Sequence, residues 1–301
     1  MTDTRFARVK TNGITLHVAE AGRPGDPLLF LLHGFPEYWE AWRGYIEAFA
    51  AAGFHVIAPD QRGYNHSDKP ADIGAYDLDQ LAADILGLAD HFRARTFSIV
   101  GHDWGGAVGW WLATRHPGRI ERAAILNAAH PSVWREAMQE NRAQRRKSFY
   151  VRLFRLPWLP ELLLRRNRYA ALAQSLGERH GGVGAAELDR YRAAWAQPGA
   201  LTAMLNWYRA FLRKDLPFSA VLRIAPPVLL IWGEKDRYGL RELAEASLRL
   251  CAEGTARYLP DATHWVQHEK PEQCQAAMLD FLKASPPSTA NAVLTRRSSP
   301  G

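Results

Sequence analysis

Gly101-His102-Asp103-Trp104-Gly105-Gly106 is the stretch on which the fold turns. Just before it, Thr96-Phe97-Ser98-Ile99-Val100 is β-branched and aromatic and reads as a buried strand. Just after it, Gly106 to Arg115 reads as a helix, ended by His116-Pro117-Gly118. A small-x-nucleophile-x-Gly stretch at a strand-to-helix corner is a nucleophile elbow, in which flanking glycines let the chain turn sharply and lift the middle side chain above the sheet. Here that side chain is the carboxylate of Asp103. With a reference pKa of about 3.9, it is ionised at neutral pH and needs no base to activate it. Attack by a carboxylate on an sp³ carbon gives an ester of the protein itself, which water can hydrolyse at its carbonyl. A serine attacking the same carbon would leave an ether. Taken alone, Asp103 is also readable as a loop residue capping the next helix.

Outward from the elbow, strands and helices alternate. Phe6 to Val9 and Ile14 to Ala19 read as a hairpin through Asn12-Gly13. Leu28 to Leu32 is wholly apolar, as a central buried strand is, and ends in His33-Gly34-Phe35-Pro36-Glu37. A helix over Trp39 to Ala52, a strand over Phe54 to Ala58 and a helix over Leu78 to Phe92 lead back to the elbow, and Ile120 to Leu126 adds a strand. From about His130 to Pro217 no strand is legible, and Leu156-Pro157-Trp158-Leu159-Pro160 breaks the helical stretches. Alternation resumes with a strand over Pro227 to Trp232, a helix over Leu240 to Cys251, a strand near Ala256 to Leu259 and a helix over Glu272 to Ala284. The pattern predicts an α/β fold, a doubly wound and mostly parallel sheet flanked by helices, with an inserted helical lid. The core spans residues 1–129 and 219–284, and the lid 130–218. Residues 285–301 carry Pro, Ser, Thr and Ala without periodicity and are expected to be disordered.

Composition excludes several classes. At 47 % hydrophobic and 23 % charged residues, the chain reads as an ordinary soluble globular protein. The formal charge of +7 concentrates in arginines from Arg142 to Arg168. They alternate with apolar residues, which favours a solvated helix face over a nucleic-acid or anionic-membrane surface. Two cysteines, Cys251 and Cys274, give neither a disulfide framework nor metal-ligand spacing. Without a signal-like or membrane-spanning stretch, a cytoplasmic location is expected, with no membrane and no nucleic acid as partner.

Two further residues fall where an open α/β sheet collects its ligands, at the carboxyl ends of strands. Asp236 follows the strand ending in Trp232, and His264 follows the last strand. Each alone is a common loop residue. With Asp103 they fall in the order nucleophile, acid, histidine, which is triad logic on this architecture. The chain resembles the α/β-hydrolase superfamily and, within it, the epoxide hydrolases, over about residues 6 to 284. The resemblance rests on His33-Gly34-Phe35-Pro36, Arg62-Gly63-Tyr64 with Ser67-Asp68-Lys69-Pro70, the elbow, Gly233 to Asp236, and His264. It implies a cofactor-free and metal-free enzyme that adds water to a small apolar epoxide, with Asp103, Asp236 and His264 catalytic. It also implies an oxyanion hole from the backbone N–H groups of Phe35 and Trp104. His33 and His102 flank the working positions and read as structural.

An epoxide needs an acid for its departing alkoxide, and neutral phenols can supply one. The family uses two lid tyrosines. Asn206-Trp207-Tyr208-Arg209 resembles the second motif; Phe149-Tyr150-Val151-Arg152 resembles the first more loosely, with Tyr169 as its alternative. Trp39, Trp104 and Trp207 are expected to wall an apolar pocket. The nearest rival is a haloalkane dehalogenase with the same Asp-Asp-His triad, using Trp104 and a lid tryptophan (Trp134, Trp158, Trp195 or Trp207) to hold a halide. Fluoroacetate dehalogenases follow the nucleophile with arginines where this chain has Trp104 and Ala107. A non-catalytic apolar-ligand-binding protein of the same fold is the remaining reading. Monomer and homodimer both stay open.

Overall fold

The computed structural model describes residues 4–176, 184–213 and 223–284. The tail from residue 285 and the end of the lid near residue 218 lie outside the described residues. Strands β1 (Arg5–Thr11) and β2 (Ile14–Ala21) form the expected hairpin, with Asn12 and Gly13 both at positive φ as a tight two-residue turn requires. Then come β3 (Leu28–Leu32), a 3₁₀ turn at Trp39–Trp42, α1 (Arg43–Ala51), β4 (His55–Pro59), α2 (Leu78–His91), β5 (Phe97–His102), α3 (Trp104–Arg115) and β6 (Ile120–Leu126). Helical segments follow: α4 (Pro131–Glu140), α5 (Arg142–Lys147), α6 (Phe149–Phe154), α7 (Leu159–Ser175, broken by a kink with non-helical backbone from Arg166 to Tyr169), α8 (Ala185–Trp195) and α9 (Ala200–Arg213). The chain closes with β7 (Val228–Gly233), α10 (Arg241–Leu248), β8 (Gly254–Leu259), α11 (Val266–Glu269) and α12 (Pro271–Lys283).

The eight strands form one sheet in the order β1-β2-β4-β3-β5-β6-β7-β8. Pairings from β4 to β8 are parallel; the two involving β2 are antiparallel. Every residue of β3, β4, β5 and β7 is buried, which is why these strands read as mostly apolar rather than alternating. Cys251 lies past the end of α10, not within a helix as expected, because the chain has already turned there to bridge Ile224.

Arg62 anchors the loop after β4. Its guanidinium forks onto Asp84 of α2, with contacts of 2.8 and 2.5 Å, both side chains almost wholly buried. Its carbonyl accepts the indole N–H of Trp207, so the same residue ties α9 to the sheet domain. Burial pushes the Asp84 carboxyl up, and Arg62 only partly opposes it. Removing the arginine therefore strands a buried carboxylate, which costs far more than the net worth of the pair. Arg62→Ala is expected to lower unfolding free energy by about 3 kcal/mol or more, measured as a shift in urea midpoint at neutral pH. An unchanged midpoint would show that water enters to solvate Asp84.

Candidate active site

Five strand ends converge on one place. Phe35 follows β3, Asp103 follows β5, Asn127 follows β6, Asp236 follows β7 and His264 follows β8, all at carboxyl ends of parallel strands. Asp103 sits at φ +49° and ψ −118°, a strained conformation for a non-glycine residue, as the N-cap of α3. The corner closes only with glycine at its neighbours. A Cβ on Gly105 would lie 2.1 Å from the Leu32 carbonyl oxygen, and one on Gly101 would lie 2.5 Å from that of Gly105. The α3 N-terminus places its positive dipole end beside the carboxylate.

Asp103 Oδ1 accepts the Phe35 backbone N–H at 2.9 Å, and Oδ2 lies 3.5 Å from His264 Nε2. His264 Nδ1 is 2.8 Å from Asp236 Oδ2. Asp236 is itself saturated. It accepts the Asn127 side-chain amide at 2.6 Å and the backbone N–H groups of Tyr238 and Gly239 at 2.6 and 3.0 Å. Burial pushes the Asp103 carboxyl up, but His264 and the Phe35 N–H outweigh it and hold it below the usual carboxylate range. Asp236 follows the same balance, with burial overcome mainly by His264. Burial alone would lower the His264 imidazole; the two carboxylates reverse that and push it up to about 10.

Tyr150 on α6 and Tyr208 on α9 face Asp103 from the helical layer. Their rings meet edge to face at 6.1 Å. Burial first, then Asp103 for Tyr150 and the neighbouring Tyr150 followed by Asp103 for Tyr208, keeps both phenols well above their ordinary pKa, so they are neutral hydrogen-bond donors. Tyr208 also packs edge-on against Trp104 and Phe35. Two apolar lobes meet at Asp103, Tyr150, Tyr208, Tyr238 and His264. One is walled by Trp104, Ala107, Trp134, Phe211, Trp232 and Leu243. The other runs past Phe35, Phe154, Leu164, Leu172 and Trp265.

Two expected wall residues stand elsewhere. Trp39 packs against Phe6 at 4.9 Å beneath Arg43 and lines a groove beside β1, because the 3₁₀ turn carries it away from Asp103. Trp207 is fully buried behind Trp104, its N–H donated to the Arg62 carbonyl. Tyr169 packs on Trp195, away from both lobes, whereas Tyr150 lines each of them. His33 is held at both ring nitrogens, by the Gly34 carbonyl and the Gln61 N–H, so it braces its loop as expected.

Sequence reasoning passed over Asn127, Tyr238 and Glu37. Asn127 sits at φ +43° directly after a strand, a position asparagine tolerates, and its oxygen also accepts the Gly233 N–H. Tyr238 packs edge-on to His264 at 4.8 Å. Glu37, fully buried in the quoted His-Gly-Phe-Pro-Glu stretch, accepts the Gly34 N–H and gathers His102, Gln267 and His268 within 3.0 Å. His102 in turn reaches the His264 carbonyl at 3.0 Å. This network ties the Phe35 loop to the His264 loop beneath Asp103.

Residues 27–271 match the family described as alpha/beta hydrolase fold. A Bacillus subtilis protein described as AB hydrolase superfamily protein YfhM is 46% identical over 91% of this chain and 96% of its own length. Epoxide hydrolase A of Mycobacterium tuberculosis is 34% identical over 91% of this chain and 96% of that protein. Among solved structures, a variant of an epoxide hydrolase from Bacillus megaterium, complexed with its naphthyloxy-propanediol product, superposes with a TM-score of 0.84. It is 29% identical and covers 92% of this chain and all of that one. The chain belongs to the α/β-hydrolase superfamily and, within it, to the epoxide hydrolase family.

Proposed function

We propose that the chain hydrolyses epoxides to vicinal diols through a covalent ester on Asp103. Asp103 attacks a ring carbon while Tyr150 and Tyr208 hold the oxygen and protonate the alkoxide. His264, oriented by Asp236, then deprotonates the water that attacks the ester carbonyl. The backbone N–H groups of Phe35 and Trp104 receive the oxyanion of that second step. The helices from α4 to α9 act as a lid, residues 130–218, over a core of residues 1–129 and 219–284. The observation that carries the reading is the pair of neutral phenols in one cavity wall with an ionised Asp103. A carboxylate nucleophile and an acid for the leaving oxygen are what an epoxide demands, and an alkyl halide demands only the first.

The dehalogenase reading needs a second N–H for the halide. Among the lid tryptophans, Trp158 stands in solvent, and the indoles of Trp195 and Trp207 donate to the carbonyls of Pro36 and Arg62. Trp134 lines a lobe and is the remaining candidate. Against a non-catalytic binding protein stands the cost of burying two carboxylates and an imidazole where apolar residues would bind a ligand more cheaply. The Bacillus megaterium relative releases an aryl-bearing diol, and the lobe of Trp134, Phe211 and Trp232 offers an apolar wall of the same kind. An aryl glycidyl ether and an alkyl bromide, each incubated with the protein, test the proposal. Diol without bromide release is expected; bromide release without diol would replace this reading with the dehalogenase.

A further inference from the structure

We infer that the α6–α7 face of the helical layer is a docking surface for an anionic lipid bilayer, on which the protein lies without spanning it. This goes beyond the epoxide reading and does not depend on it. Residues 141–176 hold nine cations and one carboxylate, a net of +8 in a chain whose whole formal charge is +7. That carboxylate, Glu161, is buried and neutralised by Arg209 at 2.9 Å. Exposed Arg146, Arg152, Arg155, Arg165 and Arg166 thus face solvent without an acid of their own segment to answer them.

Apolar bulk stands among them. Six large hydrophobic residues are strongly exposed among the described residues, and five of them fall here: Phe149, Leu156, Trp158, Leu162 and Leu163. Trp158 is 70 % and Phe149 67 % exposed. The sequence alone favours a solvated helix face, since apolar residues between arginines are ordinarily the buried stripe. Part of that stripe does turn inward, as Val151 and Phe154 do on α6. Trp158 does the reverse. It occupies φ +50°, an unfavourable conformation for an L-residue, at the break between α6 and α7, and there its indole points into water.

An arginine field with a projecting tryptophan, phenylalanine and leucines matches the membrane interface, where apolar groups enter the headgroup boundary and cations meet lipid phosphates. A second copy is disfavoured because two such faces bring like charges together. A nucleic-acid backbone would answer the arginines but offer Leu156, Leu162 and Leu163 no apolar partner. No helix among the described residues is long and apolar enough to cross a membrane, so the contact is peripheral. The face also borders the lobe lined by Leu164, Ala171 and Ser175, which leads to Asp103.

Flotation of the full chain with vesicles of phosphatidylcholine, and of phosphatidylcholine mixed with phosphatidylglycerol, tests the inference. Partition onto the anionic vesicles is expected, weakened by added salt but not abolished. Arg155→Glu with Arg165→Glu removes two attractions and adds two repulsions, and should weaken partition about a thousandfold. Trp158→Ser with Leu162→Ser should weaken it while leaving the salt dependence in place. Circular dichroism checks that each variant is folded. Equal partition on both lipid compositions, partition unchanged by both variants, or a solution dimer that Trp158→Ser dissociates would each overturn the proposal.

Discussion

His264→Gln mixed with an aryl epoxide is expected to accumulate protein heavier by one substrate mass, with the adduct on Asp103. The carboxylate is ionised and held below the usual range by its surroundings, so the first step needs no base. The second step needs one, and removal of a positioned general base slows such a step by about a hundred- to ten-thousandfold. Loss of the imidazole also removes a partner whose charge and hydrogen bond lower the Asp103 pKa, but the Phe35 N–H at 2.9 Å and the α3 N-terminus remain. Asp103→Ala should form no adduct. In a single wild-type turnover in oxygen-labelled water, the label should enter Asp103 and not the first diol. Labelled diol with unlabelled Asp103 would mean direct attack by water and would sink the covalent mechanism. The pH dependence carries the same logic. An imidazole pushed up to about 10 is protonated in the resting site and cannot act as a base there. Esterification neutralises one of the two carboxylates that raise it, so its pKa falls once the ester forms. Ester hydrolysis should therefore quicken as pH rises, while ester formation persists on the acid side of neutrality. Mass spectrometry of the wild type during turnover should show more adduct as pH is lowered from neutral.

Much of this site could be read along the chain because its parts are local. The elbow's chemistry follows from glycines that keep the Leu32 and Gly105 carbonyls in reach, and those glycines sit beside Asp103 in sequence. The central strands are legible because full burial makes them mostly apolar. What stayed hidden is set by pairing across long separations. Asn127 meets Asp236 over 109 residues, and Glu37 meets Gln267 over 230. No spacing rule connects such residues, and an asparagine or glutamate after a strand has many ordinary uses. Trp39 misled for a different reason. An aromatic residue early in the chain reads equally well as a pocket wall or as surface packing, and the 3₁₀ turn seats Trp39 on Phe6 and Arg43. Alternation of arginine and apolar residues along residues 141–176 does not by itself say whether the apolar side finds a core. For Val151 it does; for Trp158 it does not.

Tyr150→Phe combined with Tyr208→Phe should nearly abolish ring opening while leaving the fold intact. Each substitution removes one hydroxyl and keeps the ring, so the edge-to-face packing of Tyr208 on Trp104 and of Tyr150 on Phe154 survives. Without a phenol, the departing oxygen must form as an alkoxide in a cavity walled by Trp134, Phe211 and Leu243, with no acid positioned to protonate it. General acid catalysis of this kind contributes about a hundred- to ten-thousandfold, so the double variant should lose about three orders of magnitude or more in alkylation rate. Either single variant should lose much less, because the remaining phenol lines the same cavity and faces the same carboxylate. The loss should fall on alkylation alone. In the proposed mechanism, hydrolysis of the Asp103 ester uses His264, Asp236 and the backbone donors, none of which either tyrosine's hydroxyl supplies. Rapid-quench measurement of adduct formation and decay separates the two steps. If the double variant consumes epoxide at near wild-type rate, another group protonates the oxygen. Tyr238 is then the residue to test, since its ring lies against His264 and Tyr150 and lines both lobes.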